Sequence, residues 1–279
     1  MCHIFPLNHV VFVRQIPSFI GFAGQRFEYD DEQLVMILNN LRRNGSLIGA
    51  GGAILFLPFL TTLLRKTIVE YQTNLNTILE YIRGIVGQHQ ANFTPNYEHD
   101  YIDAHLNEMH RNKRELNRQS SHDMPNLIMT VGNLYAAGAF TTAETTSWII
   151  LYMTKNQDMQ RKVQQEIDHV IGPYRSPQMD DKPKLPYTWA VVLETMRLAT
   201  VAPLGVTHSV GKDTALFGCV IPKDTILIPN LWHIHHDPAV WTDPNQFKPG
   251  RFLTEDGTKT EEPSSFVPFG IGNYDSSLL

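Results

Sequence analysis

The stretch from Asp123 to Tyr152 reads DMPNLIMTVGNLYAAGAFTTAETTSWIILY, and it decides how the rest of the chain is interpreted. Asp123 can accept hydrogen bonds from the first free backbone N–H groups of a helix, and Pro125 sits where its missing N–H costs nothing. From Leu127 onward apolar residues recur at helical spacing, and nearly the whole circumference is apolar or small. The stretch therefore predicts one long helix that is buried inside a sizeable domain.

The middle of this helix has an unusual composition. Small residues fill positions 136–139, and two threonine pairs follow, although Gly and Thr have poor helix propensity. Such a thin, hydroxyl-rich segment suits a flat or small ligand that lies against the helix. It equally suits close packing against another helix, with threonine hydroxyls donating to carbonyls one turn earlier. The residues of the helix alone leave both interpretations open.

Length, charge and cysteine content limit the class of protein. The 279 residues, 42% of them hydrophobic, can build one large domain or two small ones. A net charge of −5 offers no basic surface to nucleic acid, so that class of partner is not expected. Two cysteines, Cys2 and Cys219, cannot make a disulfide framework, which favours a reducing compartment.

The sequence before the central helix is also predicted to be mainly helical. Apolar residues recur at helical spacing in three segments, residues 32–41, 66–86 and 101–109. The first residues lack the basic region and the cleavage site of a secretory signal, and they are too short and too polar for a membrane anchor. We therefore expect no N-terminal anchor in this sequence.

One stretch in this half, Leu47 to Leu64, contains no charged residue and has basic residues on both sides. A hydropathy window would identify it as a membrane-spanning helix. Glycines at positions 49, 51 and 52 and a proline at position 58 are expected to break the helix, and the length is at the lower limit for a span. We therefore expect the stretch to dip into a membrane surface or to cover a hydrophobic pocket, rather than to cross a bilayer.

The sequence after the central helix changes in character. Helices are predicted at residues 156–172, 188–199 and 231–240. Residues 213–229 alternate β-forming residues with turn residues, which predicts small strands. The predicted fold class is mainly α with a small β region, organised around the long central helix.

Glu194 and Arg197 are the first candidates for a structural site. Their spacing of three puts them on one face of a helix, where they can pair. The other residues of this helix are largely apolar, so the pair is expected to face inward. A buried Glu–Arg pair is costly unless further partners satisfy its remaining donors and acceptors. Arg251 is the candidate third member of the network.

These residues resemble the cytochrome P450 family. The resemblance rests on LPYTWAVVLETMR around Glu194 and Arg197, then FKPGRF, then PFGIG, in this order and spacing. HHDPAVWTDPNQFKPGRF and GCVIPKDTILIPN are most similar to the microsomal group of the family. The resemblance implies a single partial cytochrome P450 domain over residues 1–279, truncated at both ends. We expect the family's membrane anchor, first helices and final helix to have no counterpart here.

The resemblance also implies a role for the central helix. In the family this helix crosses the haem and carries Ala/Gly-Gly-x-Asp/Glu-Thr at the oxygen-binding groove. Ala137, Gly138 and Thr141 match that pattern, so Thr141 would supply the hydroxyl that orients dioxygen-derived species. Phe140 stands at the acid position and cannot relay protons. A shifted register would put Glu144 there instead, but the spacing along the helix favours the unshifted register.

The axial-ligand loop of the family reads Phe-x-x-Gly-x-Arg-x-Cys, and its Cys thiolate binds the haem iron. Phe269 and Gly272 match this pattern and are predicted to contact the cofactor, whereas Tyr274 stands at the Arg position and Ser276 at the Cys position. A neutral hydroxyl is a poor substitute for a soft, anionic thiolate. Two hypotheses follow: a haem-dependent monooxygenase, or an inert fragment that cannot ligate haem through a thiolate.

Four histidines have weaker signals. His208 matches the family position whose His or Arg bonds a haem propionate, although an ordinary loop histidine is the alternative. His233, His235 and His236 could suggest a zinc site. They lie in a stretch where the family binds no metal, so no metal ligand is predicted among them.

The cofactor and partners implied by the resemblance are those of the family. They are haem b, a lipophilic small-molecule substrate and an NADPH-dependent flavoprotein reductase. The implied location is the cytosolic face of the endoplasmic reticulum membrane, and Leu47 to Leu64 matches the region that roofs the substrate pocket and touches the membrane. The implied reaction inserts one oxygen atom into the substrate.

Overall fold

The computed structural model describes residues 31–57, 59–115 and 122–271. The chain falls into two compact units, Met1–Ala143 and Glu144–Leu279. The described α-helices are α1 (Glu32–Phe56), α2 (Leu60–Leu63), α3 (Arg65–Ala91), α4 (Tyr101–Glu115), α5 (Met124–Lys155), α6 (Gln157–Val170), α7 (Pro186–Ala199) and α8 (Leu231–His236). Two 3-10 helices lie at Met179–Lys184 and Pro249–Phe252.

The small β region consists of two antiparallel pairs. β1 (His208–Ser209) pairs with β4 (Ile226–Leu227), and β2 (Thr214–Leu216) pairs with β3 (Cys219–Ile221). Phe217 and Gly218 both have positive φ, 49° and 80°, which is the backbone geometry that a two-residue hairpin turn requires. The predicted fold class, mainly α with a small β region, is therefore confirmed.

The core of the first unit lies where four helices meet. Ile37 of α1, Ile82 of α3, Ile102 of α4 and Leu127 of α5 are each at most 1% exposed and belong to one apolar cluster. α5 comes so close to α3 that a Cβ added to Gly132 would lie 3.3 Å from the Ile82 Cδ1. A side chain at position 132 would therefore make Ile82 shift by a few tenths of an ångström.

Burial of α5 differs from the prediction. Nearly all-round burial was expected, but Met129, Trp148, Ile150 and Leu151 are 37% to 47% exposed. The buried positions of its first half follow one stripe at helical spacing, because the apolar cluster of the first unit packs on one side of the helix. Within the described residues, α5 is thus a helix with one buried stripe rather than a fully enclosed one.

The course of α1 corrects a second prediction. Glycines 49, 51 and 52 were expected to break the helix, yet α1 continues through Phe56. Glycine costs only about 1 kcal/mol relative to alanine within a helix, which packing elsewhere offsets. The helix ends just before Pro58, because a residue that precedes proline is disfavoured in the helical region. Across the described ranges, no helix has the length and hydropathy needed to cross a membrane.

Other boundaries also move. α1, α3 and α4 extend beyond the predicted segments 32–41, 66–86 and 101–109, whereas α8 ends at His236 rather than at position 240. α8 stops there because Asp237 is extended, with ψ of 116°, and precedes a proline. Residues 116–121, between α4 and α5, lie outside the described residues.

A partly buried ion pair joins α3 to the start of α4. His89 Nδ1 lies 2.9 Å from the Ile85 carbonyl oxygen and Nε2 lies 2.8 Å from Asp100 Oδ2. Both neighbours are acceptors, so both ring nitrogens must donate and His89 is an imidazolium. Burial by itself would lower the pKa of His89, but the bonds to Ile85 and Asp100 outweigh it and raise the pKa above its ordinary value. Asp100 Oδ1 also accepts from the Asp103 N–H at 2.9 Å and so caps α4.

Asp100→Asn is expected to lower the free energy of unfolding by about 2 kcal/mol at pH 6, because it leaves the partly buried His89 cation without its counter-charge. Asparagine is also a good N-cap, so the loss reports the ion pair rather than the cap. The pKa of His89 is raised on folding, so the stabilisation is present at low pH and disappears as pH rises through the folded pKa. Denaturant unfolding at pH 6 and pH 9 measures both values, and an equal loss at the two would contradict the assignment.

In the second unit, a carboxylate from α6 caps the N-terminus of α7. Glu166 accepts hydrogen bonds from the Tyr187 N–H at 2.9 Å, from the Thr188 N–H at 2.7 Å and from the Thr188 hydroxyl at 2.6 Å. Two of the free N–H groups at the start of α7 are satisfied in this way. This cap fixes the position of the helix that carries Glu194 and Arg197.

Candidate functional site

The centre of the second unit is a fully buried ion pair on α7. Glu194 and Arg197 are both 0% exposed. Arg197 Nε donates to Glu194 Oε2 at 2.8 Å, and Nη2 donates to Oε1 at 2.9 Å. Arg197 also donates from Nη1 to the His235 carbonyl oxygen at 2.6 Å and from Nη2 to that of Pro244 at 2.9 Å. The guanidinium therefore ties α7 to α8 and to the segment that follows it.

Arg251 completes the network from the 3-10 helix at Pro249–Phe252. Its Nε donates to Glu194 Oε1 at 3.1 Å, and the Lys248 N–H donates to the same oxygen at 2.8 Å. Glu194 thus accepts four hydrogen bonds, two from Arg197 and one each from Arg251 and Lys248. Arg251 also donates from Nη1 to the Thr242 carbonyl at 3.0 Å. The structure brings together all three residues of the ion-pair network that the sequence indicates.

Trp241 seals this network from solvent. Its ring lies 5.1 Å from Arg197 Cζ and 5.9 Å from Arg251 Cζ, measured to the ring centroid, so the indole ring can stabilise both cations. The indole N–H donates to the Ile234 carbonyl oxygen at 2.9 Å, and the side chain is 3% exposed. Phe252 packs against the ring at 5.9 Å. The Glu194–Arg197 pair is therefore buried beside aromatic rings, and Arg251 is partly buried.

His235 extends the network to the chain near position 267. It is 0% exposed, and its Nε2 accepts from the Val267 N–H at 3.0 Å. Its Nδ1 lies 3.3 Å from the Thr200 Oγ1, whose hydroxyl donates to the Arg197 carbonyl oxygen at 2.5 Å. Burial, then Arg197 and His236, lower the pKa of His235 to about 4. The imidazole is accordingly neutral at pH 7.

The sequence interpretation missed the role of His235. It treated His233, His235 and His236 only as possible metal ligands, but the structure separates their environments. His235 is buried, His233 is exposed, and the ring of His236 stacks on Trp232 at 4.4 Å. The signal that could have found His235 is its place in an apolar helix between the two arginine-bearing segments.

Ala137, Gly138 and Thr141 lie on one face of α5, three and four residues apart. Ala137 and Thr141 are exposed, and no described atom lies within 4 Å of the position that a Gly138 Cβ would occupy. The Thr141 hydroxyl donates to the Ala137 carbonyl oxygen at 2.8 Å. Apart from its own helix, no described neighbour accounts for a glycine at position 138. The side chains of Ala139 and Phe140 lie outside what the structure describes.

The predicted cofactor residues of the second unit lie near its surface. His208 is exposed in β1, opposite Leu227 of β4, and Phe269 is 65% exposed. Gly270 has a φ of 85°, and its N–H donates to the Val267 carbonyl oxygen at 3.0 Å, so the chain turns sharply there. Gly272 and Ser276 lie outside the described residues.

The buried Glu-Arg-Arg network and the long α5 helix with its small-residue face are the combination that the haem-thiolate monooxygenase resemblance implies. The family model for Cytochrome P450 matches residues 13–273, and the chain belongs to the cytochrome P450 family.

Several curated proteins are similar to the chain. It is 37% identical to Cytochrome P450 2U1 of Homo sapiens over 252 residues, which cover 89% of this chain and 46% of that protein. It is 38% identical to Cytochrome P450 2B19 of Mus musculus over 279 residues, which cover 96% of this chain and 55% of that protein. It is 36% identical to Farnesoate epoxidase of Bombyx mori over 256 residues, which cover 90% of this chain and 50% of that protein. The chain spans about half the length of the curated relatives it matches.

The residues present fit a haem only in part. The family implies a haem cofactor, and the small-residue face of α5 suits a flat macrocycle. The donor set does not fit thiolate ligation, because Ser276 offers a hard oxygen at the Cys position. Within the described residues the free cysteine is Cys219, which is exposed on the β2–β3 hairpin. No step is therefore assigned to the iron here.

Proposed function

We propose that this chain is part of a haem-dependent monooxygenase that inserts one oxygen atom into a lipophilic substrate. The observation that carries the proposal is the buried network of Glu194, Arg197 and Arg251, which holds three segments of the second unit together around one carboxylate. A buried network of this completeness is costly to assemble, so a chain retains it when it must fix the geometry of neighbouring segments. The segment that follows it leads toward position 276.

Individual residues receive roles within this proposal. Thr141, with Ala137 and Gly138, would form the oxygen side of the site, because its hydroxyl can exchange the Ala137 carbonyl for a ligand oxygen as acceptor. His208 would donate to a haem propionate from β1, and Phe269 and Gly272 would pack near the macrocycle.

The proposed partners are a lipophilic substrate and an NADPH-dependent flavoprotein reductase as electron donor. The proposed location is the cytosolic face of the endoplasmic reticulum membrane. Exposed apolar residues within 47–64 support contact with that membrane, since Phe59 is 71% exposed and Leu63 is 79% exposed.

A second candidate is favoured by the residue at position 276. With serine there, the chain would keep the family fold without thiolate ligation and would be inert as a monooxygenase. The two candidates differ in whether this chain binds iron through a thiolate, which a spectrum detects.

The test is the carbon-monoxide difference spectrum of the reduced, haem-reconstituted chain, compared between the natural sequence and Ser276→Cys. The monooxygenase proposal requires a thiolate-type Soret band from the natural sequence, whereas the inert candidate predicts none there and a thiolate-type band only from Ser276→Cys. Cys219→Ser in both backgrounds is the matched control, because it removes the described cysteine without touching the loop.

Each outcome decides between the candidates. A thiolate band from the natural sequence would overturn the inert candidate, and its loss in Cys219→Ser would identify the ligand. Absence of the band in Ser276→Cys would show that the family's ligand loop does not carry over to this chain, and the monooxygenase proposal would fail.

A further inference from the structure

His235 occupies a junction that the family resemblance does not assign. Its carbonyl oxygen accepts from Arg197 Nη1, while its ring accepts from the Val267 N–H. One residue of α8 therefore connects the buried arginine of α7 to the backbone of residues 267–271. The Val267 N–H is a buried donor with this ring as its acceptor, so the position of Val267 depends on the imidazole.

The hydrogen bonds fix the protonation state of the ring. Nε2 faces an N–H donor and must carry a lone pair, so the single proton of a neutral imidazole resides on Nδ1. The Thr200 hydroxyl donates its proton to the Arg197 carbonyl oxygen. The Thr200 Oγ1 can therefore accept a hydrogen bond from His235 Nδ1–H. Donors and acceptors match at every step from Arg197 to Val267 only when His235 is the neutral Nδ1–H tautomer.

A second proton would break this arrangement at Nε2, because two donors would then face each other across 3.0 Å. The rings that pack on the imidazole, Phe266 stacked at 5.7 Å and Trp241 edge-on at 6.5 Å, offer no carbonyl or carboxylate acceptor to an added Nε2–H. The charged and titratable groups that face it are Arg197 from α7 and His236 from α8, and both oppose a further positive charge. Glu194 is already neutralised by Arg197 and Arg251.

We propose that His235 is a positioning residue, which as the neutral Nδ1–H tautomer fixes residues 267–271 and on protonation releases them. The proposal rests on the proposed function in one respect, since residues 267–271 matter for haem only because they lead to position 276. The latch itself, from Arg197 through His235 to Val267, stands without a cofactor.

The test is site-resolved amide hydrogen exchange of the full chain between pH 7.5 and pH 4, with rates corrected for the intrinsic pH dependence. We expect the Val267 amide to be protected at neutral pH and to lose protection by about tenfold on acidification. The Gly270 amide, which donates to the Val267 carbonyl, reports whether the turn opens with it. Amides in the interior of α7 serve as the control for global unfolding, and they should stay protected.

Two variants separate the two ring nitrogens. His235→Gln places a carbonyl oxygen near the Nε2 position, so it should keep Val267 protected and remove the pH dependence. His235→Asn mimics the Nδ1 side only, so it should expose Val267 at every pH. A Val267 amide that exchanges equally in both variants, or whose protection is independent of pH in the natural sequence, would overturn the proposal.

A second measurement joins the latch to the proposed function. In the Ser276→Cys background, His235→Asn should shift the reduced carbon-monoxide complex from the thiolate form toward the non-thiolate form, and His235→Gln should restore it. If His235→Asn exposes the Val267 amide but leaves the carbon-monoxide spectrum unchanged, only the link between this contact and haem is contradicted. A missing thiolate band in the parent Ser276→Cys protein would contradict the proposed function while leaving the latch tested by exchange.

Discussion

Glu194→Ala is expected to lower the free energy of unfolding of the second unit by about 3–5 kcal/mol. The carboxylate accepts two bonds from Arg197 and one each from Arg251 and Lys248. Its removal takes the counter-charge from both guanidinium groups, of which Arg197 is fully buried, and leaves the Lys248 N–H without its acceptor. Removing one member of a buried ion pair costs far more than the pair contributes net, because the remaining charge stays desolvated.

Denaturant unfolding followed by tryptophan fluorescence measures this loss, since Trp241 lies directly on both arginines. Asp158→Ala is the matched control, because Asp158 and Arg161 form an ion pair of the same spacing on α6 with side chains 88% and 63% exposed. The control should cost less than about 1 kcal/mol. Comparable losses in the two variants would contradict the view that burial, rather than pairing, sets the energy.

Helical spacing and the family motif predicted part of this network from the sequence. Spacing of three on an apolar helix places Glu194 and Arg197 together, and the family motif adds Arg251. The contact from His235 to Val267 could not be predicted, because it joins residues 32 positions apart through a backbone donor. Backbone donors carry no side-chain signature, so only the folded path of the chain reveals which N–H groups need an acceptor.

The helices show the same limit in another form. Periodicity located each of them, but it cannot say how many neighbours cover a helix, so α5 was expected to be enclosed and instead has one buried stripe. Helix propensity also led to the wrong prediction that the glycines of α1 break the helix. Each glycine costs only about 1 kcal/mol, whereas Pro58 disfavours the helical conformation of the residue before it. Gly132 was overlooked because its close approach to Ile82 depends on the crossing of two helices.

Acidification from pH 7.5 to pH 4 is expected to remove about 3 kcal/mol of stability through His235 alone. The pKa of this histidine falls from its ordinary value of 6.5 to about 4 on folding. Between pH 6.5 and pH 4, His235 therefore binds a proton in the unfolded chain but not in the folded chain, so the free energy of unfolding declines as pH falls toward 4. Chemical denaturation at half-unit steps across this range measures the decline as a change in the free energy of unfolding.

Other groups titrate in ways that can be separated from this one. The pKa values of Asp181 and Asp256 are lowered to about 2 by Arg175 and by Thr254, respectively, so their contributions begin to be lost near pH 5 and are lost mostly below pH 4. His89 acts in the opposite direction, because its pKa is raised on folding and its contribution persists in acid. His235→Gln has no proton to gain, so the difference between it and the natural sequence isolates the histidine. If both proteins lost the same stability between pH 6.5 and pH 4, the imidazole would not be the acid-sensitive member of the network.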